Sequence, residues 1–378
     1  MKTMIGQYGA WAAGLLPQEP GALSLQRGPQ EELATRREKA RARGLECMAP
    51  PPRPPAVAPE ILWQREYDGL QIEALRWAMP YGSPTEAWVL KPAGATGRLP
   101  GLVALHDHGG FKYLGKEKIA QAGPEVPALV QAHRADAYSG LAWANEAAKR
   151  GHVVMVHDAF AFGSRRVRPA EVPLILPSTL VDDSDDSKDG MTAYNQWAGM
   201  HEHVMAKSLF SAGTTWPGVF FNEDRLALDV LCARDDVDPA RIGVAGLSGG
   251  GLRTVFLAGL DERVTCAVCV GMMTTWRDFL LNKSYTHTWM CYVPQLPREL
   301  DYPEILGLRA PRPTLVMNTR ADPLFTGPEM ERAAEILDKV YAAAGVPDHF
   351  RCSWYPGHHQ FNREMQAEAF DWFKRWLA

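Results

Sequence analysis

The pentapeptide Gly246-Leu247-Ser248-Gly249-Gly250 has the form G-x-S-x-G, with a predicted strand running into it and a predicted helix running out. A serine on such a sharp turn stands above a sheet edge, where its Oγ can attack an acyl carbon. Small neighbours are required, because a bulkier side chain would clash in the turn. The same glycines also suit a helix start that packs closely or binds phosphate. A serine hydroxyl is a weak nucleophile at neutral pH, so a base must take its proton and an acid must orient the base. On an open α/β sheet these follow in the order serine, acid, histidine. Asp322 stands downstream, just past the predicted strand Pro313–Asn318. His358 and His359 follow, just past the predicted strand Phe350–Tyr355. Both positions are at carboxyl ends of strands, where such sheets build their sites. Asp301 and Glu304 are weaker candidates for the acid, because they lie in a segment that interrupts the strand–helix rhythm. The spacing alone does not choose between the two histidines.

A tetrahedral intermediate needs backbone donors for its oxyanion. One should be the N–H of Gly249, the residue after the nucleophile. The other should come from the loop His106-Asp107-His108-Gly109-Gly110, through the amide of His108 or Gly109. His106-Asp107-His108 and His201-Glu202-His203 also raise the question of a metal. Neither has the H-x-x-x-H spacing that puts two ligands on one helical face, and no metal is expected. The six cysteines are scattered and make no disulfide framework. Cys266 and Cys269 form a CxxC inside an apolar run, where a strand points them to opposite faces.

The elements that must hold these residues alternate. Leu70–Met79 and Glu86–Leu90 read as early strands, Pro100–His106 as a strand buried on both faces, and His152–His157, Arg241–Leu247 and Arg263–Val270 as further strands. Helices are expected at Ala137–Arg150, Asn222–Cys232, Gly249–Leu260, Pro328–Ala344 and Phe361–Leu377. Repeated strand–helix units imply a mainly parallel sheet covered on both faces. Two segments break the rhythm and suit lids or binding loops, about residues 159–221 and 272–310. The first carries the acidic run Val181–Gly190, which lacks EF-hand spacing and reads as a solvated loop. Trp276 and Trp289 in the second segment, with Trp216 in the first, are candidates for a substrate pocket; most tryptophans, however, are core packing.

The whole chain has 378 residues and a net charge of −4, which gives no reason to expect a nucleic-acid or anionic-membrane partner. Residues 1–60 read as an appendage, with a charged, solvated helix at Glu31–Arg43 and an extended connector over Ala49–Pro59. That arm would lie on the domain or on a partner subunit, the second case giving a homo-oligomer. Residues 61–378 would form one catalytic domain. No apolar stretch approaches the ~20 residues of a membrane span. The apolar patch Ala10–Leu16 is short and lacks a clear cleavage site, so a cytoplasmic protein is expected, with secretion left open.

On Leu105–Gly110, Gly115–Lys118, Gly246–Gly251, Asp261–Val264, Pro311–Asp322 and Pro356–Phe361, the chain resembles the α/β-hydrolase superfamily. Within it, the similarity is to dienelactone-hydrolase-like and acetyl-xylan-esterase-like bacterial esterases, over roughly residues 65–378. The catalytic histidine of such relatives often stands in an H-x-F context, matched by His359-Gln360-Phe361, which favours His359. The resemblance implies carboxylic-ester hydrolysis through an acyl-enzyme, without a cofactor, on a small or carbohydrate ester. Dienelactone hydrolases proper carry a cysteine where this chain has Ser248, which argues against that substrate. The competing expectations are a prolyl-oligopeptidase-like aminopeptidase and a catalytically silent binding protein.

Overall fold

The computed structural model describes residues 2–17, 20–27, 32–54, 56–173 and 181–378. Nine strands form a single sheet in the order β1-β2-β3-β5-β4-β6-β7-β8-β9. They are β1 Glu60–Tyr67, β2 Leu70–Trp77, β3 Thr85–Pro92, β4 Leu99–Leu105, β5 Val153–His157, β6 Val237–Leu247, β7 Cys266–Val270, β8 Thr314–Thr319 and β9 Phe350–Tyr355. β1 through β3 and the β3–β5 contact are antiparallel; from β5 to β9 every pairing is parallel. This is the α/β-hydrolase fold. The chain leaves β4 for β5 on one side and later returns to β6 on the other. A crevice therefore opens beyond the carboxyl ends of β4 and β6, the topological switch point.

The helices are α1 Gly9–Ala13, α2 Leu33–Met48, α3 Ala128–Ala137, α4 Trp143–Ala148, α5 Lys188–Ser211, α6 Trp216–Cys232, α7 Gly249–Leu260, α8 Trp276–Asp278, α9 Tyr302–Gly307, α10 Gly327–Ala343 and α11 Arg363–Leu377. They sandwich the sheet. Val103 and Leu105 of β4 join one core, with α2, α6, α7 and α10. Leu102 and Ala104 of the same strand join the other, with α4 and α11. That alternation is the two-residue period of a strand buried on both faces. α11 applies Met365, Phe370, Phe373 and Leu377 to the second core, each worth about 1.5–3 kcal/mol in apolar burial.

Several expectations change. The predicted helix Ala137–Arg150 shortens to α4, Trp143–Ala148; α3, which the sequence did not announce, ends at Ala137, and Ser139 (φ 53°) and Gly140 (φ 76°) take left-handed backbone between the two. α6 begins six residues before Asn222, capped by the Thr215 hydroxyl, which accepts from Gly218 N at 3.0 Å. Its first turns are buried on every side, so no amphipathic period announces them. α2 is not simply solvated: Leu33, Ala40 and Met48 enter the first core. The arm is pinned further by Ser24 Oγ and Leu25 N, which donate to Glu304 at 2.5 and 2.8 Å. The acidic run is partly helical, since Ser187 caps α5. Glu31, the expected start of α2, and residues 174–180 of the first interrupting segment lie outside the described residues.

Candidate active site

Ser248 sits between β6 and α7 with φ 57° and ψ −117°, a strained backbone for a residue with a Cβ. The turn is held because Ser248 N donates to Val270 O at 2.9 Å. It is tight enough to explain its glycines. A Cβ on Gly246 would lie 2.5 Å from Leu105 O, and one on Gly250 would overlap the same carbonyl oxygen. A Cβ on Gly249 would lie 2.7 Å from His108 N, so the loop after β4 lies directly against the elbow.

Asp322 and His359 come from the loops after β8 and β9. Those loops are tied together, Arg320 N donating to Tyr355 O at 2.8 Å and Ala321 N to Gly357 O at 3.1 Å. The Asp322 carboxylate is buried and accepts from Leu324 N at 2.9 Å through Oδ1. Its Oδ2 lies 2.6 Å from His359 Nδ1. The ring lies over Gly271, where a Cβ would come within 3.0 Å of Cε1. Gly271 follows Val270, the residue whose carbonyl holds Ser248. His359 Nε2 is buried and has no hydrogen-bond partner among the described residues. His358 points away, half exposed, with Nε2 3.2 Å from Asp136 Oδ1. Asp301 and Glu304 are employed elsewhere, as the capping box of α9.

The loop after β4 is fixed from several sides. Lys118 Nζ donates to the carbonyls of Asp107 and His108, each at 2.8 Å. Asp107 Oδ1 accepts from Tyr138 Oη at 2.5 Å and lies 3.1 Å from His133 Nε2. Burial alone would raise the Asp107 carboxyl, but His133 and Lys118 hold it well below the usual range. His108 Nδ1 accepts from Gly110 N at 3.1 Å, which leaves Nε2 to donate to Glu202 Oε1 at 2.6 Å. Burial keeps this histidine neutral by lowering its pKa. Glu202, on α5, also accepts from Lys112 Nζ and from Thr288 Oγ1, the latter at 2.7 Å. One carboxylate therefore joins the loop after β4 to both interrupting segments. Despite its burial, His108 and Lys112 lower its pKa to about 2.

In the sequence, His106-Asp107-His108 stands out as an oxyanion loop and a metal candidate and His201-Glu202-His203 only as a metal candidate; that the two meet through His108 and Glu202 is not anticipated there. Among the described residues no cluster of three or more His, Cys, Asp or Glu could hold a metal. His287 was also unanticipated. It packs against Phe279 at 4.7 Å and Phe325 at 4.9 Å, and Phe325 lies 6.5 Å from the His359 ring. Burial lowers its pKa to about 4. The tryptophan expectation needs correction. Trp216 packs between Phe160 and Phe220 at 1% exposure. Trp276 is buried against Phe279 and Tyr302, its indole N–H donating to Leu300 O at 3.1 Å. Both complete the core. Trp289 alone of the three is exposed, beside Thr288. Among the described residues no helix is long and apolar enough to cross a membrane.

Residues 214–378 match the prolyl oligopeptidase family. The chain is 26% identical over 324 residues to YtaP of Bacillus subtilis (strain 168), provisionally named a hydrolase, covering 85% of this chain and 93% of that one. A provisionally assigned acetyl xylan esterase from Bacteroides fragilis superposes with a TM-score of 0.70 at 16% identity, over 94% of this chain and 83% of that one. A glucuronoyl esterase from Solibacter usitatus superposes with a TM-score of 0.63 at 16% identity, over 96% and 99%. The parallel sheet, the strained elbow at its switch point and these structural likenesses agree on one fold, the α/β-hydrolase fold.

Proposed function

We propose that the protein is a serine esterase. Ser248 Oγ attacks the ester carbonyl carbon as His359 Nε2 takes its proton. Asp322 holds the imidazole and stabilises the imidazolium. The amides of Gly249 and of His108 or Gly109 receive the oxyanion. His359 then gives the proton to the departing alcohol, takes one from water as the water oxygen attacks the acyl carbon, and returns it to Ser248 Oγ as the acid leaves. The observation that carries this reading is the Asp322–His359 pair at 2.6 Å: its ring lies over Gly271, next to the residue whose carbonyl anchors Ser248, and its buried Nε2 has no partner among the described residues. The names of the structural neighbours favour an ester of a carbohydrate, and the exposed Trp289 offers a face on which a sugar could stack.

A peptidase is the second reading, favoured by the family matched at residues 214–378. Against it, the residues before 214 contribute β1 to β5 of the same sheet rather than a separate propeller. Fluorophosphonate labelling separates the readings from a silent scaffold: Ser248 is expected to label, and Ser248→Ala to abolish labelling and turnover with the fold intact. p-Nitrophenyl acetate is expected to turn over faster than an aminoacyl p-nitroanilide. Folded protein that does not label removes both enzyme readings, and faster anilide turnover removes the esterase.

A further inference from the structure

The segment Gly115–Lys118 stands outside the serine, acid and base, yet Lys118 is fully buried at the back of the loop that faces Ser248. Its ammonium donates two hydrogen bonds among the described residues, and both go to backbone carbonyls, Asp107 O and His108 O. In a trans peptide the C=O and N–H point in opposite directions. The Asp107 carbonyl shares its peptide with the His108 amide, and the His108 carbonyl shares its peptide with the Gly109 amide. Two successive carbonyls drawn to one cation therefore turn two successive amides to the other side. The chain permits this because Gly109 takes a left-handed backbone, φ 58°. No acceptor among the described residues takes either amide. The adjacent Gly110 N–H, by contrast, is already bonded to His108 Nδ1. The His108 amide nitrogen lies against the elbow, where a Cβ on Gly249 would come 2.7 Å from it.

Lys118 is itself held in place. The rings of Phe111 and Phe162 lie 4.4 and 4.7 Å from Nζ. Arg134 clamps the turn that carries it, donating to Lys118 O at 3.1 Å and Glu117 O at 2.7 Å. There is an electrostatic need for such a cation. Asp107 Oδ2 is buried without a hydrogen-bond partner among the described residues, 3.1 Å from His133 Nε2, and a carboxylate there opposes any negative charge forming at Ser248. Lys118 Nζ lies 3.9 Å from that oxygen.

We propose that Lys118 is the positioning residue of the oxyanion hole. By holding the Asp107 and His108 carbonyls it aims and polarises the His108 and Gly109 amides, and together with His133 it offsets the charge of Asp107. Lys118 touches no reacting atom, so its contribution appears only as charge develops on the substrate oxygen. The inference rests on the serine-esterase reading, so it is tested on wild-type protein already shown to label at Ser248 and to hydrolyse p-nitrophenyl acetate. Absence of either property defeats that reading instead.

Lys118→Met keeps the length and the apolar contacts of the side chain and removes its donors and charge. The variant should lose kcat by roughly 10²–10³-fold, the scale of one missing oxyanion donor, with KM within about threefold. Inhibition by a trifluoromethyl ketone, which forms a hemiketal oxyanion on Ser248, should weaken by the same factor. Binding of the matching unreactive amide should not change. A kcat within about threefold of wild type overturns the proposal. So does an equal loss of ketone and amide affinity, which would mean general damage to the site. Should Lys118→Met fail to fold, Lys118→Gln, which keeps a donor without the charge, takes its place with the same readouts and an expected loss of roughly tenfold; unchanged kcat there also overturns the proposal.

Discussion

At the scale of the residue, neighbouring histidines with the same intrinsic chemistry occupy opposite environments. His359 is largely buried, with Nδ1 on Asp322 and Nε2 free, whereas His358 is half exposed beside Asp136. A base needs a fixed tautomer and an uncommitted lone pair; Asp322 holds His359 Nδ1, and its buried Nε2 has no partner among the described residues. His359→Ala should therefore lower kcat on p-nitrophenyl acetate by roughly 10⁴-fold or more, while His358→Ala stays within about threefold of wild type. Steady-state kinetics of the two variants decide it, and loss of activity in His358→Ala would displace His359 from the mechanism. The residues of the elbow, the acid and the histidine pair were legible in the sequence because each stands in a short motif at a strand end. The supporting groups were not. Glu202 reaches His108 across 94 positions and Lys118 works through backbone carbonyls, and neither relation has a sequence period.

At the scale of the element, the elbow works because β6 enters and α7 leaves with almost no room between them. Gly250→Ala is expected to destabilise the fold by about 1–3 kcal/mol, since its Cβ would overlap a backbone oxygen of β4 that cannot move without breaking the sheet. Gly199 provides the opposite case. It is exposed in the middle of α5 with nothing within 4 Å of its Cβ, so Gly199→Ala should stabilise by about 0.5–1 kcal/mol. Urea unfolding of the two variants beside wild type measures both signs; a neutral Gly250→Ala would mean that the turn is looser than its geometry. The central strands were legible for the same reason that they are central. Burial on both faces makes them continuous apolar runs, and β9 and α7 fall where the pattern put them. β1 was missed because it is an edge strand, largely exposed and half polar without alternation, with a bulge between Ile61 and Trp63. α5 was missed because its acidic approach reads as a loop while its buried face, Tyr194 and Trp197, packs on Tyr113 in a small separate core.

At the scale of the molecule, the two interrupting segments are joined to the sheet by groups whose charge depends on pH. His287 of the second segment is buried between Phe279 and Phe325, and desolvation, helped by the nearby His359, outweighs the opposing pull of a Leu324 backbone hydrogen bond, Asp278 and Asp322, lowering its pKa from 6.5 to about 4. The unfolded chain takes up this proton as pH falls below 6.5, but the folded chain refuses it until about 4. Stability therefore drains away over that window, by about 3 kcal/mol from this residue. Glu202 continues the trend at lower pH. Its carboxylate, depressed from 4.5 to about 2 by His108 and Lys112, stabilises the fold above 4.5, and that contribution is lost as pH falls toward 2. Acid should thus loosen the attachment of both segments before it disrupts the apolar sheet. His287→Asn removes the first contribution, so the unfolding free energy lost between pH 7 and pH 4 should be about 3 kcal/mol smaller in the variant than in wild type. Urea unfolding of both proteins at pH 7, 5.5 and 4 measures that difference. Parallel losses in the two would show that His287 takes up its proton in the folded state as readily as in the unfolded one.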